Sequence, residues 1–516
     1  MRRLSFCSAL SLIALSATSG TVAAQQHPAM SVDSALVGRI LLAEDMRDST
    51  NAALGEGTAS GDRRIRLLAT RAVARIRDAK FAAREAFPAL AAPPKYSDPA
   101  WRLRFRALQT KKGDCFALSA ALADSAWPVR LRAADQSGVE CSGDSTLVRT
   151  LRKWAAAPPQ NSFRGPGMAS WQPAAHGLLA LSRMVPNDAR ALLPQFANSP
   201  IPALRTYAAR AAGTLDDTAT LRRLAADSND NVKEAAIDAL ARTAGHVGDA
   251  EFLAALGSRG YQAVRAAARA LRGSPRRADA YAFSLAAAYR LRRDSSETSR
   301  DARLAVFDRL GEFASPVDAP AIVTLATDFD CVVAHAAAAI ATRLKGAPVS
   351  PVCSPMPITL PPEAVALALG RSVRLRVTLA DSSGGGSFIV RLRGDVAPIT
   401  AGRILELARA GYYNGLTWHR VEPDFVIQGG GTGANEYVGN PRFFRDELGT
   451  VSHVRGTIGL STRGHDTGDA QWFVNLRDNT RLDADYTLFG EVVEGMDVVD
   501  GVLEGDVIER IEVIGS

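Results

Sequence analysis

Residues 417–431 read TWHRVEPDFVIQGGG, one arginine inside an alternating apolar run that ends in three glycines. Arg420 is flanked by Trp418, Val421, Phe425 and Ile427, so its guanidinium belongs to a partly apolar wall. An isolated charge there is costly unless something pairs with it or a ligand uses it. A structural salt bridge and a cation aimed at a ligand are the two readings. Little else in the chain is poised for chemistry. His419 lies within the same run, whereas His176, His246, His335, His453 and His465 are dispersed without metal-ligand spacing, so no metal or cofactor is expected. The glycine-rich GGGTG at 429–433 follows a strand pattern and opens no phosphate-binding loop.

The segments that must position Arg420 are strand-like. VRLRVTLA (373–380) and SFIVRLRG (387–394) alternate and flank the flexible SSGGG, a hairpin signal. PITAGRILELARAGYY (398–413) opens with proline, runs at helical spacing and stops at Gly411. Short runs follow: LTWHRV, DFVIQGG, GTIGLST, QWFVNL and TLFGEV, separated by Gly- or Asp-rich turns. This density of strands and turns over 371–516 predicts a small β-barrel with few helices.

The region 35–345 follows a different rule. Alanine, leucine and arginine dominate, and a unit recurs as DRRIRLLATRAVARI (62–76), DSAWPVRLRAAD (124–135), SPIPALRTYAARAAGTL (199–215), SNDNVKEAAIDALARTAG (228–245) and GSRGYQAVRAAARALRG (257–273). The pairs Leu204-Arg205, Val232-Lys233 and Val264-Arg265 are spaced 28 and 32 residues apart, one helix-pair period. The pattern resembles HEAT repeats. Small alanine positions let helices approach closely, and each pair buries its other face only against a neighbour. Between the two regions KGAPVSPVCSPMPITLPPEA (345–364) breaks the helical pattern, and 346–370 reads as a stiff extended linker.

Residues 1–24 carry MRR, an apolar Leu4-to-Leu15 stretch and Val22-Ala23-Ala24, the signature of a cleaved leader. No run is long and apolar enough for stable membrane insertion. Export leaves Cys115, Cys141, Cys331 and Cys353 in an oxidising compartment. Four cysteines allow three pairings. The sequential one, Cys115–Cys141 with Cys331–Cys353, is the preferred reading beside four buried thiols. The chain carries a net charge of +7, yet residues 371–516 hold 15 Arg and no Lys against 21 Asp and Glu. The positive excess therefore lies in the repeats. Nucleic acid is not expected as its partner in an exported protein, and a solvated repeat surface is the expectation.

The C-terminal motifs, read together, are similar to cyclophilins, the peptidyl-prolyl cis/trans isomerases. The family signature F-H-R-V-x-x-x-F-x-I-Q-G-G stands as Trp418-His419-Arg420-Val421 through Phe425, Ile427, Gln428 and Gly429-Gly430. GTIGLSTRGHDTGDAQWFVNL (456–476), LDADYTLFGEVVEGMDVVD (482–500) and APITAGRILELARAGYYNG (397–415) match further family blocks in order. The resemblance implies a multidomain chain, an all-α HEAT-like solenoid followed by a closed antiparallel β-barrel with flanking helices. It implies Arg420 as the catalytic electrophile and Gln428 as its orienting partner. Phe425, Val426, Phe473 and Leu482 match the proline pocket, and Tyr486 its rim. Ser461, Thr462 and Arg463 match the strand that pairs with substrate backbone, and Gln471 its polar edge.

The chemistry suits these residue types. Rotation about an X–Pro amide faces about 18–20 kcal/mol from partial double-bond character, and no covalent bond need break. A cation that hydrogen-bonds the proline nitrogen as it pyramidalises weakens that resonance. The expected function is isomerisation of X–Pro bonds in exported polypeptide clients, with the solenoid binding a client or a protein partner. The rival is a non-catalytic scaffold that holds proline segments. Trp418 and Trp472 replace common phenylalanines, Ser461-Thr462 a frequent Ala-Asn, and Arg481 a frequent tryptophan. Arg463, with RDN after FVNL, resembles bacterial periplasmic members, so the periplasm rather than secretion is the expected location.

Overall fold

The computed structural model describes residues 32–78, 80 and 92–515; the predicted leader, 1–24, lies outside them. The repeats are paired helices. Pro202–Thr214, Thr218–Leu224, Asp230–Ala244, Asp249–Ala255 and Tyr261–Ala270 follow one another, and Arg277–Arg292, Arg300–Phe313, Ala319–Leu325 and Cys331–Lys345 continue the stack. Their starts are capped: Asp217, Asn229 and Asp330 side chains accept the first free helical N–H groups. Alanine permits close packing. Ala208, Ala209, Ala211 and Ala212 are buried on one helix and Ala236 and Ala239 on the next. A Cβ at Gly213 would stand 2.9 Å from that of Ala239, so a larger residue there would push the helices apart. One apolar core runs from Phe105 to Leu344.

The first three helices leave this stack. Ser34–Asp45, Ala52–Thr58 and Arg63–Arg77 share a separate core with Ala364 and Ile399. The expected solenoid of 35–345 is therefore two bodies of helices, the first packed on the linker and the C-terminal module. The stretch expected as a stiff extended linker is anchored at two points. Val352–Cys353 pairs in parallel with Thr327–Asp328, and Ala364–Ala368 is a short helix buried in that second core. No helix among the described residues is long and apolar enough to cross a membrane.

Cys115 and Cys141 form a disulfide. Cys331 and Cys353 do not, contrary to the sequential pairing; both are half-buried thiols. Backbone bonds already fix their surroundings, since Val352 donates to the Ala326 carbonyl at 2.8 Å and Ser354 to Asp328 at 3.0 Å. Burial and the neighbouring Cys353 thiol push the Cys331 thiol up to about 11.

The C-terminal strands are β1 (Arg374–Leu379), β2 (Ser387–Leu392), β3 (Arg420–Val421), β4 (Val426–Gly429), β5 (Thr457–Leu460), β6 (Trp472–Asn475), β7 (Leu488–Glu494) and β8 (Ile508–Ile514). They form one antiparallel sheet in the order β8-β1-β2-β7-β5-β6-β4-β3. The sheet curls around Trp418, Tyr413, Phe388, Ile427 and Trp472, with Trp418 and Trp472 packed edge to face. Its end strands do not pair with each other as strands, so the expected closed barrel is present in the coarser form of a curled half-barrel. Residues 415–418 and 505–508 exchange backbone hydrogen bonds near the open seam.

The basic repeats and the acidic sheet are held together by arginines. Arg102, fully buried, donates to the Pro423 and Leu476 carbonyls and pairs with Asp500 at 2.8 Å. Arg164 pairs with Asp506, and buried Arg75 pairs with Glu44 and donates to Val396 and Leu448 carbonyls. Some of the repeat arginines thus find their partners inside the chain.

Candidate functional site

Antiparallel pairing of β3 with β4 sets Arg420 directly opposite Gln428. The Arg420 Nη1 donates to Gln428 Oε1 at 3.3 Å. Gln428 Nε2 donates in turn to Ser461 Oγ at 2.9 Å and Gln471 Oε1 at 3.3 Å. Gln428 and Gln471 are buried, so this chain of amides has little freedom to reorient. Beside it lies an apolar cluster of Val426, Phe473 and Leu482, with Phe425 and Tyr486 packed against it, the residues that the resemblance gives to the proline slot. The slot is separate from the core inside the sheet. Phe473 meets Tyr486 edge to face and stacks on His453.

The predicted residues therefore converge, with one exception of role. The Ser461 backbone N–H donates to the Gln471 carbonyl, and half-buried Thr462 continues that edge. Arg463 does not present a free edge. Its backbone N–H donates to Thr467, its Nε to Asp301 of the repeats at 2.8 Å, and its Nη1 to Asp469 and the Glu436 carbonyl. Arg463 braces the site against the solenoid, because Asp301, Asp469 and the Glu436 carbonyl take three of its five guanidinium N–H groups.

Sequence reasoning missed the carboxylates around Arg420. Glu422 accepts from Nε at 2.9 Å and from Nη2, and Glu436 from Nη1 at 3.1 Å. Four of the five guanidinium N–H groups are thus used, leaving one on Nη2 without a partner among the described residues. Glu422 was legible, because strand residues two apart share a face; Glu436, on a distant loop, was not. These pairs are half-exposed and weak, so they orient the cation without cancelling it. Gly459 was also missed. A Cβ there would fall 2.3 Å from the Phe473 ring, so only glycine lets that ring lie flat along the slot.

The loop 431–445 that carries Glu436 is clamped by the repeats. Asn231 donates to the Gly433 carbonyl at 2.9 Å, Arg265 lies over Tyr437, and Glu297 accepts from the Phe443 N–H at 2.7 Å. His419 is half-buried with both ring nitrogens out of solvent, and desolvation pulls its imidazole down to about 4. It is neutral, with no catalytic proton to give near pH 7. Asp446 comes to the sequence neighbours His465 and Asp466, but the Arg47 guanidinium pairs with Asp466 there.

Comparison with known proteins agrees with this geometry. Residues 376–513 match the family described as cyclophilin type peptidyl-prolyl cis-trans isomerase/CLD, and 177–272 match HEAT repeats. The chain is 35% identical over 139 residues to a peptidyl-prolyl cis-trans isomerase of Helicobacter pylori, covering 24% of this chain and 80% of that protein. It is 33% identical over 142 residues to peptidyl-prolyl cis-trans isomerase B of Bacillus subtilis, covering 25% and 93%. A solved cyclophilin-type isomerase of Cryptosporidium parvum matches with a TM-score of 0.26 and 20% identity, over 28% of this chain and 99% of that one. By the family match and the two sequence relatives over its C-terminal module, the chain belongs to the cyclophilin-type peptidyl-prolyl cis-trans isomerases and joins that module to HEAT repeats.

Proposed function

We propose that the protein isomerises X–Pro bonds in exported polypeptides, with Arg420 as the electrophile and the repeats as a wall that receives the client. The observation that carries the reading is the position of the Arg420–Gln428 pair beside an apolar slot. A proline ring, which has no donor, fits between Phe425, Val426, Phe473 and Leu482. The amide then lies against the guanidinium, whose remaining Nη2–H meets the nitrogen as it pyramidalises. Ser461 and Thr462 bind the flanking backbone. Each 1.36 kcal/mol by which these contacts favour the twisted amide is tenfold in rate. Closure of the sheet through the seam between 415–418 and 505–508 completes a barrel that holds the slot rigid.

Export is supported by the leader pattern and by the Cys115–Cys141 bridge, which suits an oxidising compartment. In the periplasm, uncatalysed prolyl isomerisation takes tens to hundreds of seconds, slow enough to limit folding of a client. The repeats sit against the site instead of trailing on a tether, so their contribution is direct contact with the client. The test is NMR exchange or a chymotrypsin-coupled assay on an Ala-Pro peptide with the full chain. Arg420→Ala is expected to lower kcat/KM by about a hundredfold, the cost of one preorganised donor. Unchanged turnover would remove Arg420 from the mechanism.

A further inference from the structure

The proline slot opens on a second space that the isomerase reading does not use. A cleft of about 790 Å³ lies between the repeat helices Trp127–Gln136 and Gln172–Met184 and the segments 421–425 and 477–481. Phe425 belongs to both slot and cleft, so a chain leaving the slot on this side passes between the two domains.

The cleft holds charges of both signs, and their pairing is uneven. Its carboxylates are engaged: Asp135 with His176, Glu422 with Arg420, Asp424 with Arg106 and Arg477. Asp478 accepts the Arg455 N–H, and half-buried Glu504 accepts from Tyr207. Two guanidiniums on opposite walls are not. Arg132 lies over the Phe105 ring at 5.4 Å and Arg481 over Phe425 at 4.4 Å. No carboxylate among the described residues reaches either. The Arg132 Nε is buried without any hydrogen-bond partner.

We infer that this cleft selects an acidic flank in the substrate, an aspartate or glutamate a few residues from the isomerised proline, and that Arg132 and Arg481 bind it. The inference rests on the isomerase reading. Each guanidinium lies near a phenyl ring and has no carboxylate partner, which leaves it available to grip a carboxylate. A cationic client would meet carboxylates that each already serve a partner inside the protein. One arginine comes from the repeats and the other from the catalytic module, so the preference needs both domains in contact.

The experiment uses the full chain and matched peptides carrying Glu, Gln or Lys two residues before or two residues after an Ala-Pro unit. NMR exchange gives kcat/KM, and fluorescence anisotropy gives binding of the same peptides. On one flank the Glu peptide is expected to exceed its Gln counterpart about tenfold at low salt, with Lys lowest. Arg132→Gln and the exposed Arg481→Gln should each bring the Glu-to-Gln ratio towards one. A ratio within twofold on both flanks, or one that survives both substitutions, overturns the inference. If no peptide is isomerised, the isomerase reading fails by itself, and the anisotropy ratio still decides whether the cleft prefers acid.

Discussion

At the scale of single residues, the site is built from side chains that gain their roles from neighbours. Arg420 is held by Glu422, Glu436 and Gln428, so its direction is set before a substrate arrives. Phe473 depends on what is absent beneath it. Gly459→Ala places a methyl group into that ring and pushes it into the slot. Overpacking of this kind costs about 1–3 kcal/mol, and KM for an Ala-Pro peptide should rise several-fold more than kcat falls. Retained KM would show that the ring does not floor the slot. His419 sets an acid limit. Its folded-state imidazole titrates at about 4 instead of 6.5, so the unfolded chain takes up the proton first. Its stability contribution is complete above pH 6.5 and is lost as pH falls towards 4, to the extent of about 3 kcal/mol. Denaturant titrations at pH 7 and pH 4.5 should show that loss, reduced in His419→Gln.

Among the elements, loop 431–445 and the repeat helix Asp230–Ala244 form a unit, because Asn231 at the start of that helix holds the loop that carries Glu436. One turn on, burial, reinforced by Asp238, pushes the Glu234 carboxyl up to about 7. The sign is opposite to that of His419. The folded state keeps the proton that the unfolded chain releases, so stability is complete below the ordinary carboxylate range and is lost as pH rises through 7. Glu234→Gln should therefore raise the Tm at pH 8 and leave it nearly unchanged at pH 4, read by scanning calorimetry. An equal shift at both pH values would show that the carboxyl is not buried.

For the whole molecule, charge separation along the sequence becomes an interface. The basic repeats donate Arg102 and Arg164 to Asp500 and Asp506 of an otherwise acidic module. Removing one partner of a buried pair is costly because the other charge stays behind; Asp500 keeps Arg455, which moderates the loss. Arg102→Ala is expected to cost about 3 kcal/mol and to split a single unfolding transition into two, since the Pro423 carbonyl also loses its donor, whereas the Leu476 carbonyl keeps Arg455. A single unshifted transition would mean that the domains are not thermodynamically joined. The same interface argues against severing the repeats to test catalysis, because excision would strand buried carboxylates.

The sequence by itself determined what repeats locally. Alternation placed the strands, alanine spacing the paired helices, and the order of the C-terminal motifs the slot residues Phe425, Val426, Phe473 and Leu482. These are properties of neighbours a few positions apart, where side-chain direction follows backbone period. Tertiary structure alone decided the partners: Glu436 on Arg420, Asp301 on Arg463, three N-terminal helices on the linker, and Cys331 beside Cys353 without a bond. Such pairings join residues tens to hundreds of positions apart, and no period encodes them. They follow from how two oppositely charged domains settle against each other, and that packing brings Arg132 of a repeat across a cleft from Arg481 of the enzyme.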